Sequence, residues 1–374
     1  MEPLKALVLA AYVLASALLV GYALLGPVRS ALSESEHVTL GWAVGMGGLA
    51  IALTLVGLAG SFRPLVVLLL PGALAAAALA AGRAPGVGRL RHGVAALSRA
   101  PAVWPLSLLA GFVALSGLAP PSDYDGLLYH LVAPRAYLEA GAFVYLPHNF
   151  SANLPMFGET LFAVGLAGGS DRAPQLVHAG AGALTVALTW VLAHRLLAGR
   201  LALWAAAGVA GTPLVPFLAT RAYIDLFTVV FVTAALVLLV VWWDTRRLSL
   251  LAFTGALLGF AVSSKYSALT AALPLGALAA LAALARDRRS AVRAAIALGG
   301  AGCLAALPWT VRQHLLLGNP VWPMYTGGRD WDAARVEQLA YFVGQYGSGH
   351  TVRDWLLLPL NVFRESWRFG HVPW

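Results

Sequence analysis

Asp123, Asp125, Tyr129, His130, Arg135, Glu139 and His148 all fall within one polar stretch, Pro120 to Pro155, set between long apolar runs. Asp123-Tyr124-Asp125 at its head offers two carboxylates. One could take a proton from a hydroxyl as a general base, or both could hold a hard divalent cation through oxygen. The same residues also fit a helix start: Ser122 followed three residues later by Asp125 has the form of a capping box, and acids are favoured at a helix N-terminus by its dipole. On the residues alone both readings stand. His130 and His148 could join Asp125 as metal ligands. However, His130 lies five residues after Asp125, off the spacing that would aim both at one ion from a helix. No metal site and no soluble cofactor is therefore assigned, with a divalent cation as the open alternative. Asn149-Phe150-Ser151 matches the glycosylation sequon, a triplet common by chance.

Three patterns lie further along the chain. Arg221 and Asp225 are four residues apart where an apolar run begins, so on a helix they would share a face as an ion pair or, alternatively, serve a site. Lys265 stands in Ser-Ser-Lys-Tyr-Ser. The chain has only one other lysine, Lys5, against a total of 25 basic residues. A compact ammonium at headgroup depth suits an anionic group such as a lipid phosphate, and snorkelling to the interface is the alternative. Arg312 is placed just past an apolar run, as a site residue or an interfacial anchor.

The elements that must position these groups are membrane spans. Apolar residues make up 60% of the chain and charged ones 11%, far outside the usual soluble range. The net charge of +9 sits mostly as arginine in short connections, which marks orientation and not nucleic-acid binding. The single Cys303 can form no internal disulfide. The first apolar run, about 6–28, is long enough to span, and no small-residue cleavage motif clearly follows a short core. About ten spans are expected, near 6–28, 38–60, 64–81, 102–119, 173–193, 201–219, 222–243, 248–264, 266–285 and 294–311. Connections carrying Arg83, Arg89, Arg91 and Arg99, then Arg195 and Arg200, then Arg246 and Arg247, then Arg286, Arg288, Arg289 and Arg293, are expected to be cytoplasmic. Alternation then puts the 120–171 loop, Arg221/Asp225, Lys265 and everything after Arg312 on the extracytoplasmic face. Scattered snorkelling residues would not need to gather acids and a rare lysine there. Within the loop, 126–140 and 155–167 read as amphipathic surface helices, with 143–153 irregular between them. The stop at Trp374 is abrupt for a polytopic protein and suggests a fragment of a longer chain.

The series Asp125-x-x-x-Tyr129-His130-Leu131, Tyr137-Leu138-Glu139-x-Gly141, Tyr145-Leu146-Pro147 and Pro155-x-x-x-Glu159-x-Leu161 resembles the first extracytoplasmic loop of the polytopic GT-C glycosyltransferases. Tyr223-x-Asp225, Lys265-Tyr266 and Pro308-Trp309-x-x-Arg312 followed by Gly318-Asn319-Pro320-Val321 are similar to later motifs of the same group. The likeness covers about 102–330. It is greatest to the dolichyl-phosphate-mannose mannosyltransferase, aminoarabinose transferase and lipopolysaccharide-core galacturonosyltransferase branch.

The resemblance implies an all-α, GT-C type membrane enzyme of the bacterial inner (plasma) membrane. It would move a hexose or pentose, with inversion, from a polyprenyl-phosphate donor to an acceptor hydroxyl outside the cytoplasm. It implies Asp125 as the base. Lys265, Arg221 and Arg312 would neutralise the departing phosphate, and Asp123, Tyr129, His130, Glu159, Tyr223, Asp225 and Tyr266 would line the substrate site. Two departures from the pattern stand out. Residues 1–101 supply three helices and a basic loop ahead of the expected GT-C core at 102–374, and the chain stops before the usual later helices. The competing class is a flippase or transporter of anionic lipid-linked sugars. Transporters place ionisable groups at mid-membrane and show repeats, and neither is visible here. A non-catalytic scaffold would leave the clustered acids unexplained.

Overall fold

The computed structural model describes residues 1–83, 103–197, 199–324, 327–347, 349 and 351–369. Arg89, Arg91, Arg99, the expected boundary at 101/102 and Trp374 lie outside the described residues. The described chain is helical, with no strand among these residues. In order it forms α1 Glu2–Leu24, α2 Glu34–Leu58, α3 Pro64–Ala80, α4 Val103–Gly117, α5 Val132–Ala140, α6 Glu159–Ala167, α7 Ala173–Leu196, α8 Gly199–Gly211 and α9 Leu214–Ala219. It continues as α10 Asp225–Thr245, α11 Leu248–Ser264, α12 Leu269–Leu284, α13 Arg288–Leu317, α14 Ala333–Gly344 and α15 Val352–Arg364. Six helical stretches, α1, α2, α7, α10, α12 with the turn before it, and α13, are long and apolar enough to cross a membrane, and α3, α4, α8 and α11 are shorter apolar helices. Leu108, Phe112 and Leu115 of α4, Leu273 and Leu281 of α12, and Leu304 and Leu307 of α13 point outward, as lipid-facing surfaces require.

Three expectations change. The span 201–219 is broken into α8 and α9 at Thr212-Pro213, because proline has no N–H to continue a helical ladder. The tenth span is longer than expected, so Arg312 lies inside α13 and not beyond its end. Helix α6 is no surface helix: every residue from Glu159 to Gly165 is buried, with α1, α2, α3, α5 and α7 packed around it. Its sequence is apolar on all sides, so it has no polar face to offer water.

Helix α2 is central, packing against α1, α3, α6, α7, α10, α11 and α13, so the N-terminal helices are integral to the bundle. Tight crossings rest on glycine. A Cβ on Gly45 would sit 1.7 Å from the Ala17 carbonyl oxygen, and one on Gly255 would sit 1.9 Å from that of Leu298. Small residues let membrane helices approach this closely, where van der Waals contact holds them together. Gly45→Val therefore forces α1 from α2. Overpacking of this kind costs about 1–3 kcal/mol, read as a lower thermal midpoint in detergent.

Polar contacts define the two ends of the bundle. At one end, Lys5 donates to the Gly169 carbonyl at 2.5 Å, Ser170 to Glu2 at 2.6 Å, and the Phe62 N–H to the Gly141 carbonyl at 2.7 Å. This end carries the 120–171 loop, the 220–224 turn, Lys265 and the C-terminus of α13. At the other, Arg195 bridges Glu36 at 2.5 Å and Asp244 at 3.0 Å, and Arg247 donates to Ser30 at 2.6 Å. Among the described residues the arginine-bearing connections and the acids of the loop thus lie at opposite ends.

Candidate functional site

The loop is built on a π-turn, Gly126–His130, followed by α5, which Gly141 ends in the left-handed conformation. The start of the turn settles the capping question. Asp123, and not Ser122 with Asp125, accepts the Gly126 N–H at 2.8 Å. Asp123 is thereby committed to the backbone. Asp125 is half-buried, and among the described residues its carboxylate has no hydrogen bond or ion pair.

Around Asp125 lie Tyr129, His130 and Tyr223. The His130 ring packs between Tyr129, centroids 4.0 Å apart, and Tyr223, 5.3 Å apart. Burial raises the Tyr129 hydroxyl well above the usual phenol range, and the negative charges of Asp125, Glu159 and Asp225 push the same way. The Tyr223 hydroxyl is pushed up to about 12, first by burial and then by Asp123 and Asp125. Both phenols are proton donors at neutral pH. They lie close enough to Asp125 to direct a polar ligand toward it.

Beneath them His130 Nδ1 meets Glu159 Oε1 at 2.7 Å, with both side chains enclosed. Glu159 Oε2 has no partner, and burial raises the carboxyl above its ordinary range. Among the described residues the second carboxylate oxygen is unmatched, so the pair's net contribution to stability is small, although removing one partner would strand the other.

The turn after α9 brings the second group of residues. Arg221 precedes α10, so the four-residue spacing to Asp225 does not place them on one helix face and the expected ion pair is absent among the described residues. Arg221 instead stacks 3.6 Å over the Phe217 ring and donates to the Phe217 carbonyl at 2.6 Å. Asp225 pairs with Lys265, Nζ to Oδ1 at 2.7 Å, and the lysine is about half exposed. The rare lysine thus points outward, oriented by a carboxylate.

His178, which the sequence reading passed over inside a span, anchors this turn. Its Nδ1 donates to the carbonyls of Leu218 and Arg221, both at 2.9 Å, while Nε2 accepts the Leu226 N–H at 3.1 Å. This arrangement fixes the tautomer as Nδ1–H, because both Nδ1 partners are acceptors. A histidine in a membrane helix is a signal in itself.

Arg312 is wholly buried, so it is not an interfacial residue. It donates to the Tyr137 hydroxyl at 2.7 Å and to Gln313, and is ringed by Trp309, Tyr137 and Phe143 at 5.1, 5.6 and 5.9 Å from their centroids. Tyr266 also lies against Gln313 and Arg312. Asn153 completes the support: its carbonyl accepts from Gln313 at 3.1 Å, and its amide is hydrogen-bonded to Leu146 and Asn149. Asn149 in turn donates to the Leu128 carbonyl at 2.7 Å, so the sequon amide is engaged in fixing the π-turn. Arg312→Met removes charged hydrogen bonds worth about 1.5–3 kcal/mol each. A thermal midpoint several degrees below wild type in detergent is the expected reading.

Arg135, Glu139 and His148 are exposed on the outer surface, away from this cluster. Among the described residues no group of three or more metal-ligating side chains comes together, and Glu159 occupies His130 Nδ1.

Residues 160–311 match the family model of the dolichyl-phosphate-mannose-protein mannosyltransferases. The match takes in Arg221, Tyr223, Asp225, Lys265 and Tyr266, and begins one residue after Glu159. No curated protein and no solved structure matches the chain. Over that part, and in its helical membrane bundle, the chain is similar to the membrane glycosyltransferases of GT-C type.

Proposed function

We propose that the protein transfers one sugar, with inversion, from a polyprenyl-phosphate donor to an acceptor hydroxyl, and that Asp125 is the general base. The family match supports the donor class. The observation that carries the rest is Asp125 itself: a half-buried carboxylate with no hydrogen bond or ion pair among the described residues, set among proton-donating phenols. In the step proposed, the acceptor O–H gives its proton to Asp125 as its oxygen forms a bond to the anomeric carbon. The bond from that carbon to the phosphate oxygen breaks on the opposite side, and polyprenyl phosphate leaves with the electron pair. Lys265, aimed by Asp225, and Arg221, held on Phe217, meet the growing phosphate charge. Tyr129 and Tyr223 orient the sugar or acceptor. His130 with Glu159, and Arg312 with Tyr137, hold those groups in place from behind. The arginine-rich connections at the far end support an extracytoplasmic site in a bacterial plasma membrane.

The reading is tested with protein in lipid, a panel of polyprenyl-phosphate sugars and crude acceptors, following release of polyprenyl phosphate. Turnover with one donor identifies the sugar, and the anomeric configuration of the product by NMR tests inversion. Failure of every donor would turn attention to lipid transport. Lys265→Ala is expected to raise the apparent KM for the donor at least tenfold while changing that for the acceptor less than twofold. Equal loss on both would assign Lys265 a structural role.

A further inference from the structure

At the end of the bundle opposite Asp125, the C-terminus of α10, the start of α11, the end of α12 and the first turns of α13 flank an open-sided cavity of about 180 Å³, lined by Trp242, Arg246, Leu248, Arg286, Ser290 and Arg293 among others. That is room for about six waters at liquid density. Arginines at this end follow from the positive-inside rule, and a loose scatter of them would need no other account. These three are not scattered. Among the described residues no carboxylate lines the cavity, and Arg246, Arg286 and Arg293 form no ion pair. Of the acids beside the lining residues in sequence, Asp287 is occupied by the N–H and hydroxyl of Ser290, at 2.8 and 2.7 Å, and Asp244 by Arg195 at 3.0 Å.

Arg246 carries the argument furthest. It holds a left-handed backbone, φ 57°, that a residue with a side chain rarely adopts. Its guanidinium lies 4.8 Å from the Trp242 centroid and 4.7 Å from that of Trp243. Stacked there, its Nη1 is buried with no hydrogen-bond partner among the described residues. A buried guanidinium N–H without an acceptor is costly, and a planar cation of this kind matches phosphate oxygens. The floor, Leu248 with Ala283 and Ala294, is apolar.

We propose that this cavity is a phosphate-binding site, taking the phosphate of an anionic lipid headgroup or a free phosphate ion between Arg246, Arg286 and Arg293. It lies about 28 Å along α13 from Arg312, so it is separate from the transfer site. Because it rests on none of the catalytic assignments, its failure and theirs are distinguishable.

The test is native mass spectrometry of the whole chain in detergent, with dioleoylphosphatidylglycerol against dioleoylphosphatidylcholine. Wild type is expected to bind the anionic lipid at least tenfold more tightly. Arg246→Gln/Arg293→Gln should lose that preference, whereas Arg288→Gln/Arg289→Gln, an equal charge change at the start of α13 outside the cavity, should keep it. If the first double variant fails to fold, Arg293→Gln alone serves, with at least a threefold loss expected. Inorganic phosphate, titrated as the second arm, separates the sources. Displacement of lipid assigns one site to both, and binding of phosphate without any lipid preference assigns the free ion. Equal loss in both double variants, or loss in neither with no phosphate binding, overturns the proposal.

Discussion

Asp125→Asn is expected to lower sugar transfer by about 10²–10⁴-fold, the range a positioned general base contributes, with the thermal midpoint unchanged. The amide is nearly isosteric with the carboxylate but cannot take the acceptor proton. Because the Asp125 carboxylate makes no hydrogen bond or ion pair among the described residues, its replacement leaves no buried partner stranded. Released polyprenyl phosphate from the two proteins in lipid is the measurement. Release from the variant at the wild-type rate would remove Asp125 from the mechanism. Asp123→Asn is the matched control: the Gly126 N–H at 2.8 Å can still bond the amide oxygen, so a much smaller loss is expected.

Glu159→Ala has the second large effect, and it falls on stability. The substitution strands His130 Nδ1 in an enclosed site and opens a hole beside it. Removing one partner of a buried pair costs about 3–5 kcal/mol when the pair is charged. Glu159→Gln keeps an oxygen 2.7 Å from Nδ1 and separates charge from hydrogen bonding. If the pair is neutral in the folded protein, the glutamine variant unfolds near wild type and only the alanine variant falls. If the pair is ionic, both fall. Thermal unfolding in detergent reads the difference. An alanine variant with a wild-type midpoint would show that His130 finds another partner and that the dyad is dispensable.

Much of the fold was legible because membrane helices announce themselves. Within hydrocarbon every backbone group must be satisfied inside its own helix, so apolar length alone gives the spans, and arginine asymmetry sorts the connections between two ends. Glu2 and Lys5 against Ser170 and Gly169 at one end, and Glu36 with Arg195 and Asp244 at the other, agree with that reading. The same reasoning failed for α6. Apolar surface says that a segment avoids water, but not whether lipid or protein covers it.

The composition and order of this sequence determined an all-helical membrane bundle, the gathering of acids and Lys265 toward one end, and a likeness to one family over 160–311. Which acid does what was decided only by tertiary structure, since hydrogen bonding depends on distances between residues far apart in the chain. Asp123 and Asp125 differ by two positions, yet the direction of the π-turn commits one to the backbone and leaves the other free. Lys265 meets Asp225 across 40 residues, while the adjacent Arg221 turns to Phe217. Arg312, which the sequence allowed as an exposed charge, is enclosed because α13 runs past it and α5 brings Tyr137 onto it. Charge and apolarity add along a chain and can be read from it. Partnership between side chains depends on the packing of whole helices, which no local pattern records.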